Sequence, residues 1–200
     1  EFTHIAFSCA LEPLRIANLV SGQPLYRWSL LSEDGKTATC SNGSVTLVDG
    51  GMEAGRKTDR VFLISGLNVQ AHTTPKLLNW LRRERAAGTP LGGICSAAYV
   101  LARAGFLDDV ETALHWAWHD LFTEEFPEVR LVRNVFVARG KIITASGGTA
   151  AADLMLHLIG KSHGEDLATE VADQMVYNAV REGTAAQRVS IQSRHGMRNE

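Results

Sequence analysis

Pro90-Leu91-Gly92-Gly93-Ile94-Cys95-Ser96-Ala97-Ala98-Tyr99-Val100-Leu101-Ala102 is the stretch on which the fold turns. Pro90 to Ile94 reads as a short strand, and Ser96 to Ala104 as a helix stopped by Gly105. No residue is left over for a loop, so Cys95 occupies a one-residue turn on strained backbone. Such a turn points into the crevice at the carboxyl ends of the strands, where open α/β sheets bind their ligands. The first helical amides, at Ser96 and Ala97, lie beside it. The helix dipole is therefore expected to lower the thiol pKa and to offer donors to an anion. Gly92, Gly93, Ala97 and Ala98 leave room for the tight geometry. The same turn suits two roles, an activated nucleophile or a small buried residue that ends a strand, since free cysteine is among the most buried residue types.

Working outward, Arg60-Val61-Phe62-Leu63-Ile64-Ser65 is an unbroken apolar run closed by Gly66, the pattern of a central parallel strand covered on both faces. Tyr26 to Ser32, Val45 to Val48 and Thr112 to His115 read as further strands. Val135 to Ala138 and Ile142 to Thr144 form a hairpin turning at Arg139-Gly140-Lys141. Helices are expected over Ile5 to Val20, kinked or split at Pro13, and from Pro75, capped by Thr73 or Thr74, to a stop at Gly88. Three more cover Trp118 to Phe126, Ala150 to Ile159 and about Glu165 to Ala179. Strands alternating with helices of this length imply an α/β sandwich with a mainly parallel sheet. From Arg181 to Glu200 the chain turns polar and basic, as a linker leaving the domain would.

Composition bounds the function. The 200 residues, 45% hydrophobic and 21% charged, fit one globular domain with a sizeable core. A net charge of −2 gives no broad electropositive face, so this chain is not expected to hold DNA by itself. Cys9, Cys40 and Cys95 are odd in number and widely spaced. That pattern fits a reducing cytoplasm and neither a structural zinc site nor a redox motif. No cofactor or metal is expected. Without a run of 18 apolar residues or a signal-peptide pattern, the chain is expected neither to enter a membrane nor to be secreted.

His115, at the end of a strand, lies one helix and one strand after Cys95, so the two residues can meet as a nucleophile and base or stay apart, with His115 a structural residue. Glu12 is either partly buried with a specific partner or solvated beside Pro13. Ala113-Leu114-His115-Trp116-Ala117-Trp118-His119 gathers two indoles and two imidazoles where the chain lines the crevice. Indole faces attract quaternary ammonium groups, although either tryptophan can equally pack in the core.

Three motifs together carry a resemblance: Ala10-Leu11-Glu12-Pro13-Leu14-Arg15-Ile16-Ala17-Asn18, Gly93 to Ala102, and Thr144-Ala145-Ser146-Gly147-Gly148-Thr149-Ala150-Ala151-Ala152-Asp153-Leu154-Met155. In order and spacing they resemble the GlxA-like branch of AraC-type transcription regulators, over nearly the whole chain. The resemblance implies that residues 1–180 form a class I glutamine amidotransferase-like (PfpI-type), flavodoxin-like three-layer sandwich that senses a small-molecule effector. It implies that residues 181–200 lead towards a C-terminal helix-turn-helix domain, outside this chain, that binds promoter DNA. Repeated half-sites in the operators of such regulators imply a homodimer. In the family an apolar strand precedes the Glu-Pro-Leu-Arg helix and would lie before Glu1.

By the same resemblance Cys95, His115 and Glu12 match pocket positions at which the glutamate contacts the thiol, and Gly66 matches the backbone position facing the elbow. Proteolytic members resemble Cys-His at the elbow, whereas Ser96 follows Cys95 here. Regulators of this type keep the pocket and abandon turnover. The expected ligand-binding set is thus Glu12, Gly66, Cys95, Ser96, Ala97, His115, Trp116 and Trp118, with no catalytic residue. The effector class suggested is a quaternary amine such as carnitine, choline or glycine betaine, or a basic amino acid. Its ammonium would lie near Trp116 or Trp118 and its carboxylate on the amides after Cys95. The alternative is a cysteine-dependent hydrolase or glyoxalase-like enzyme with Cys95 as nucleophile, His115 as base and Glu12 as third member. A redox switch at Cys95 is a further reading.

Overall fold

The computed structural model describes residues 1–54 and 58–188. In chain order it contains α1 (His4–Ser21), β1 (Leu31–Ser32), β2 (Thr37–Thr39), β3 (Val45–Leu47), β4 (Gly50–Gly51), β5 (Val61–Ile64), α2 (Pro75–Ala86), β6 (Leu91–Ile94) and α3 (Ala97–Arg103). There follow β7 (Glu111–Ala113), α4 (His119–Glu125), β8 (Arg130–Val132), β9 (Phe136–Val137), β10 (Ile142–Ala145), α5 (Ala150–His163) and α6 (Glu165–Gln174).

The main sheet has the order β5-β6-β10-β9. The first three strands are parallel, with Ile64, Ile94 and Ala145 aligned at their carboxyl ends, and β9 returns antiparallel as the predicted hairpin. Side chains alternate across this sheet with the period of two that a strand imposes. Val61, Leu63, Leu91 and Ile142 face a core with Trp80 and Leu81 of α2 and Leu101 of α3. Phe62, Ile64, Ile94, Ile143 and Ala145 face the opposite core with Ala6 and Ala10 of α1 and Leu154 and Met155 of α5. A third cluster, including Ile16, Ile159 and Val171, welds α1, α5 and α6 together. Helices on both faces of a mainly parallel sheet make the three-layer sandwich of the class I amidotransferase-like fold.

Glycine at 93 follows from this layering. A Cβ there would come within 2.9 Å of Leu101 Cδ1 and 3.2 Å of the Ala98 amide, so α3 lies directly on its own strand. The cap of α2 is also as the sequence indicates. Thr74 Oγ1 accepts the Leu77 N–H at 3.1 Å, with Pro75 in the first turn.

Several local expectations need correction. The run Arg60 to Ser65 yields β5, whose two faces are covered, yet it stands at the edge of the four-stranded sheet and all four residues are only half-buried. Residues 2 and 3 lie beside its end, where the Thr3 N–H donates to the Ser65 carbonyl at 3.3 Å. Pro13 sits buried inside one continuous helix, α1, so of the expected kink or split the split does not occur. Tyr26 to Ser32 contributes only the two-residue β1. Strand β8, paired in parallel with β7, carries too short an apolar run to be read from sequence.

The tail differs most. Residues 181–188, expected to be linker, lie back across the domain. The Val135 N–H donates to the Ala185 carbonyl at 2.8 Å, and the Gln187 N–H to the Arg133 carbonyl at 2.9 Å. Residues 189–200, the rest of the expected linker, lie outside the described residues.

Candidate functional site

Cys95 closes β6 with φ +64°, a left-handed conformation that costs a non-glycine residue about 1–2 kcal/mol. The backbone is held there from three sides. Its N–H donates to the Ala145 carbonyl at 3.0 Å, its carbonyl accepts the His115 N–H at 3.5 Å, and the Ser96 hydroxyl donates to the Gly66 carbonyl at 2.6 Å. Gly147, with φ +90°, presses against the elbow so closely that a Cβ would lie 2.7 Å from the Cys95 Cβ.

The thiol environment reverses one expectation. The side chain is buried, with Thr3 Oγ1 at 3.5 Å from Sγ. Burial pushes the thiol pKa up, against the smaller lowering effects of Thr3 and the Ser96 amide. Burial outweighs these two hydrogen bonds, so the activated thiolate assumed by both the hydrolase and the redox readings is disfavoured.

Nor does the triad of the alternative enzyme reading, Cys95, His115 and Glu12, assemble. Glu12 faces solvent and pairs with Arg15 one turn along α1, at 2.7 Å. Thr3, not Glu12, meets the thiol. His115 follows β7 and reaches Cys95 through its backbone, while its Nδ1 accepts the Ala117 N–H at 3.3 Å and caps the turn Trp116–Trp118. Its pKa is lowered by burial first and by the neighbouring His119 second. Trp118 packs against the core with Leu114 and Phe122 and so leaves the crevice to Trp116.

Beside the elbow lies a cavity of about 150 Å³ lined by His115, Trp116, Val135, Ser146, Gly147, Gly148, Ala150, Arg181, Gln187 and Arg188. Gly147 touches both this cavity and Cys95, whereas Cys95, Ser96, Ala97 and Gly66 are not among its lining residues. A larger hollow of about 340 Å³ lies elsewhere, between His119, Asp120, Thr123, Val129, Leu131 and Arg133. It is built from one local stretch of chain on the flank. The smaller cavity instead follows the carboxyl ends of β7 and β10, where parallel sheets place ligand sites, and draws its walls from four separate parts of the sequence.

Its lining residues include two arginines, Arg181 and Arg188, and no Asp or Glu. Arg181 is fixed from behind. Its Nε donates to Asp153 Oδ2 at 2.8 Å and one terminal nitrogen donates to Thr149 Oγ1 at 2.7 Å, while the Tyr177 hydroxyl and the Arg181 N–H both donate to Asp153 Oδ1 at 2.9 Å. Asp153 is fully buried, so this pairing satisfies a charge that would otherwise be prohibitive. Gln187 closes the far side. Its Oε1 accepts the Trp116 N–H at 3.0 Å, and its Nε2 donates to the Leu114 carbonyl at 2.8 Å and the Asn134 carbonyl at 3.1 Å. Sequence reasoning missed Arg181, Gln187 and Arg188. An aspartate inside the apolar run from Ala150 to Leu156 was a signal for a buried partner, but nothing marks Gln187.

Comparison with known proteins shows the family. The chain is 40% identical to the HTH-type transcriptional regulator CdhR of Pseudomonas aeruginosa over 99% of its own length and 59% of that protein's. It is 37% identical to the HTH-type transcriptional regulator GlxA of Rhizobium meliloti over 98% of its length and 61% of that protein's. It thus spans about three fifths of each of these relatives. Among solved structures, an AraC family transcriptional regulator from Pseudomonas putida superposes with a TM-score of 0.77 at 27% identity, over 87% of this chain and 94% of that one. Residues 20–161 match the DJ-1/PfpI family, and the chain belongs to it.

Proposed function

We infer that this domain is the effector-binding part of an AraC-type transcription regulator, and that the effector occupies the cavity beside Cys95. The single observation that carries the reading is the pairing of that hollow, open to solvent and more apolar than polar, with an elbow whose thiol is buried and without an aligned base. The similarity to two helix-turn-helix regulators supports it. The volume, below the ~300–1,000 Å³ of sites for drug-sized ligands, suits a molecule of few heavy atoms.

The ligand class is read from the lining residues. Trp116, whose ring lies beside that of His115, brings an indole suited to a quaternary or primary ammonium group, and Arg188 brings charge for a carboxylate, with Arg181, whose charge Asp153 balances, as a further hydrogen-bond donor. A small zwitterion such as carnitine, glycine betaine or arginine satisfies both. Relative to the sequence expectation, the carboxylate moves from the amides after Cys95 to the guanidinium groups of the tail. His115 and Trp116 are retained as ligand-binding residues, and Glu12 and Trp118 are not. Promoter binding through a helix-turn-helix part, action as a homodimer and a cytoplasmic location belong to the same proposal. Among the described residues no helix is long and apolar enough to cross a membrane.

Isothermal titration calorimetry with glycine betaine, carnitine, choline and arginine tests the reading. Saturable heat from at least one is expected, and silence from every quaternary amine removes that ligand class. The strained φ of Cys95 is what favours the competing enzyme reading. Cys95→Ala separates the two: the sensor keeps its ligand affinity and the parent shows no turnover of amides or α-oxoaldehydes, whereas an enzyme loses measurable turnover.

A further inference from the structure

The cavity is walled on one side by the chain that leaves the domain. Three of its lining residues, Arg181, Gln187 and Arg188, belong to the segment after α6, and the rest belong to the sandwich itself. Besides the main-chain bonds of Ala185 and Gln187 to residues 133 and 135, side chains fasten this segment at two points. The first is the buried Asp153 pair, which holds Arg181 and Tyr177. The second is Gln187, whose one side chain bridges three main-chain groups, the Trp116 N–H and the Leu114 and Asn134 carbonyls. Between them the segment runs beside residues 133 to 135, with Gly183 so close to Phe136 that a Cβ would lie 2.8 Å from its ring.

The two fastenings differ in kind. The Asp153 pair is a charged anchor with a fully buried carboxylate, whereas Gln187 is neutral, half-buried and held only by hydrogen bonds at the mouth of the cavity. The Trp116 main chain holds Gln187, and Trp116 is itself among the residues that line the cavity. Any ligand lodged against the indole therefore bears on the residue that grips the tail.

Resting on the reading that an effector fills this cavity, we propose that Gln187 is the clasp through which occupancy is passed to the departing chain. The ligand bridges the Trp116 wall and the tail's guanidinium groups, and it binds the docked tail more tightly than the undocked one. Linkage then requires the converse: releasing the clasp weakens the ligand by the same factor, and ligand binding holds residues 181–188 down. Output to any downstream part is set by how firmly Gln187 is seated.

Amide hydrogen exchange followed by mass spectrometry, on the whole chain with and without carnitine, glycine betaine or arginine, tests the proposal alongside calorimetry. In the parent, the ligand that gives heat is expected to slow exchange over 181–188 and 114–117. Gln187→Ala is expected to speed exchange over both stretches without ligand, to leave the melting temperature within a few degrees, and to weaken ligand at least about fivefold. Gln187→Glu, which keeps the acceptor for the Trp116 N–H and loses both donors, falls between them. Heat with unaltered exchange over 181–188 overturns the clasp and leaves the sensor reading intact. Absence of heat from every ligand overturns the ligand reading. In that event the ligand-free comparison still decides the clasp, because unaltered exchange at 114–117 and 181–188 in Gln187→Ala refutes it.

Discussion

At the scale of single residues, Gly147 and Cys95 set the site through their mutual contact. Alanine at 147 would place its Cβ 2.7 Å from that of Cys95 on backbone at φ +90°, whereas alanine at 148, at φ +56°, meets nothing within 4 Å. Gly147→Ala is therefore expected to cost about 2–4 kcal/mol by urea unfolding, the sum of overpacking and left-handed strain. Gly148→Ala costs about 1 kcal/mol, from strain alone. Equal effects would remove the contact as the cause. Cys95 makes a second prediction. Its buried thiol holds its proton above the ordinary thiol range. The folded state then keeps that proton where the unfolded chain releases it, so this group's contribution to stability declines as pH rises through about 8.5 and beyond. At pH 8, mass spectrometry should show iodoacetamide modifying Cys95 only slowly in the native chain and readily in urea. Rapid native modification would reinstate an activated thiolate.

At the scale of elements, the strands at the centre and their helices were legible because their signals are local. Gly92-Gly93 ahead of Cys95, the Thr74-Pro75 start of α2 and the Gly140 turn each act within a few residues. What lay hidden depends on partners far along the chain. Glu12 takes Arg15 instead of the thiol, because α1 turns that face to solvent. Trp116 and Trp118, alike in sequence, part company when the intervening turn sends one to the cavity and the other to the core. The tail reads as a polar linker because its attachment is made by hydrogen bonds and one buried ion pair, not by an apolar stripe. That attachment is testable. Asp153→Ala leaves Arg181 without its buried partner and is expected to cost about 3 kcal/mol in thermal or urea unfolding. It should also speed hydrogen exchange over 177–188. Asp153→Asn, which retains oxygen for the Tyr177 hydroxyl and the Arg181 N–H, should cost less. A tail that exchanges no faster in Asp153→Ala would show that the pair does not hold it.

At the scale of the whole molecule, the sandwich acts as a frame that brings four distant stretches to one small hollow: the end of β7, the β9 approach, the Ser146-Gly148 turn and the tail. The cavity lies one residue layer away from Cys95, with Gly147 between them. The central claim is that this hollow binds a small zwitterionic effector against Trp116. Calorimetric titration of the parent and of Trp116→Leu with carnitine, glycine betaine and arginine tests it most directly. The account predicts saturable heat with at least one ligand in the parent and a loss of about 30-fold in affinity in Trp116→Leu, equivalent to about 2 kcal/mol of desolvated cation–π contact, with the melting temperature retained. Undiminished affinity in Trp116→Leu, or no heat from any of the three in the parent, would contradict it.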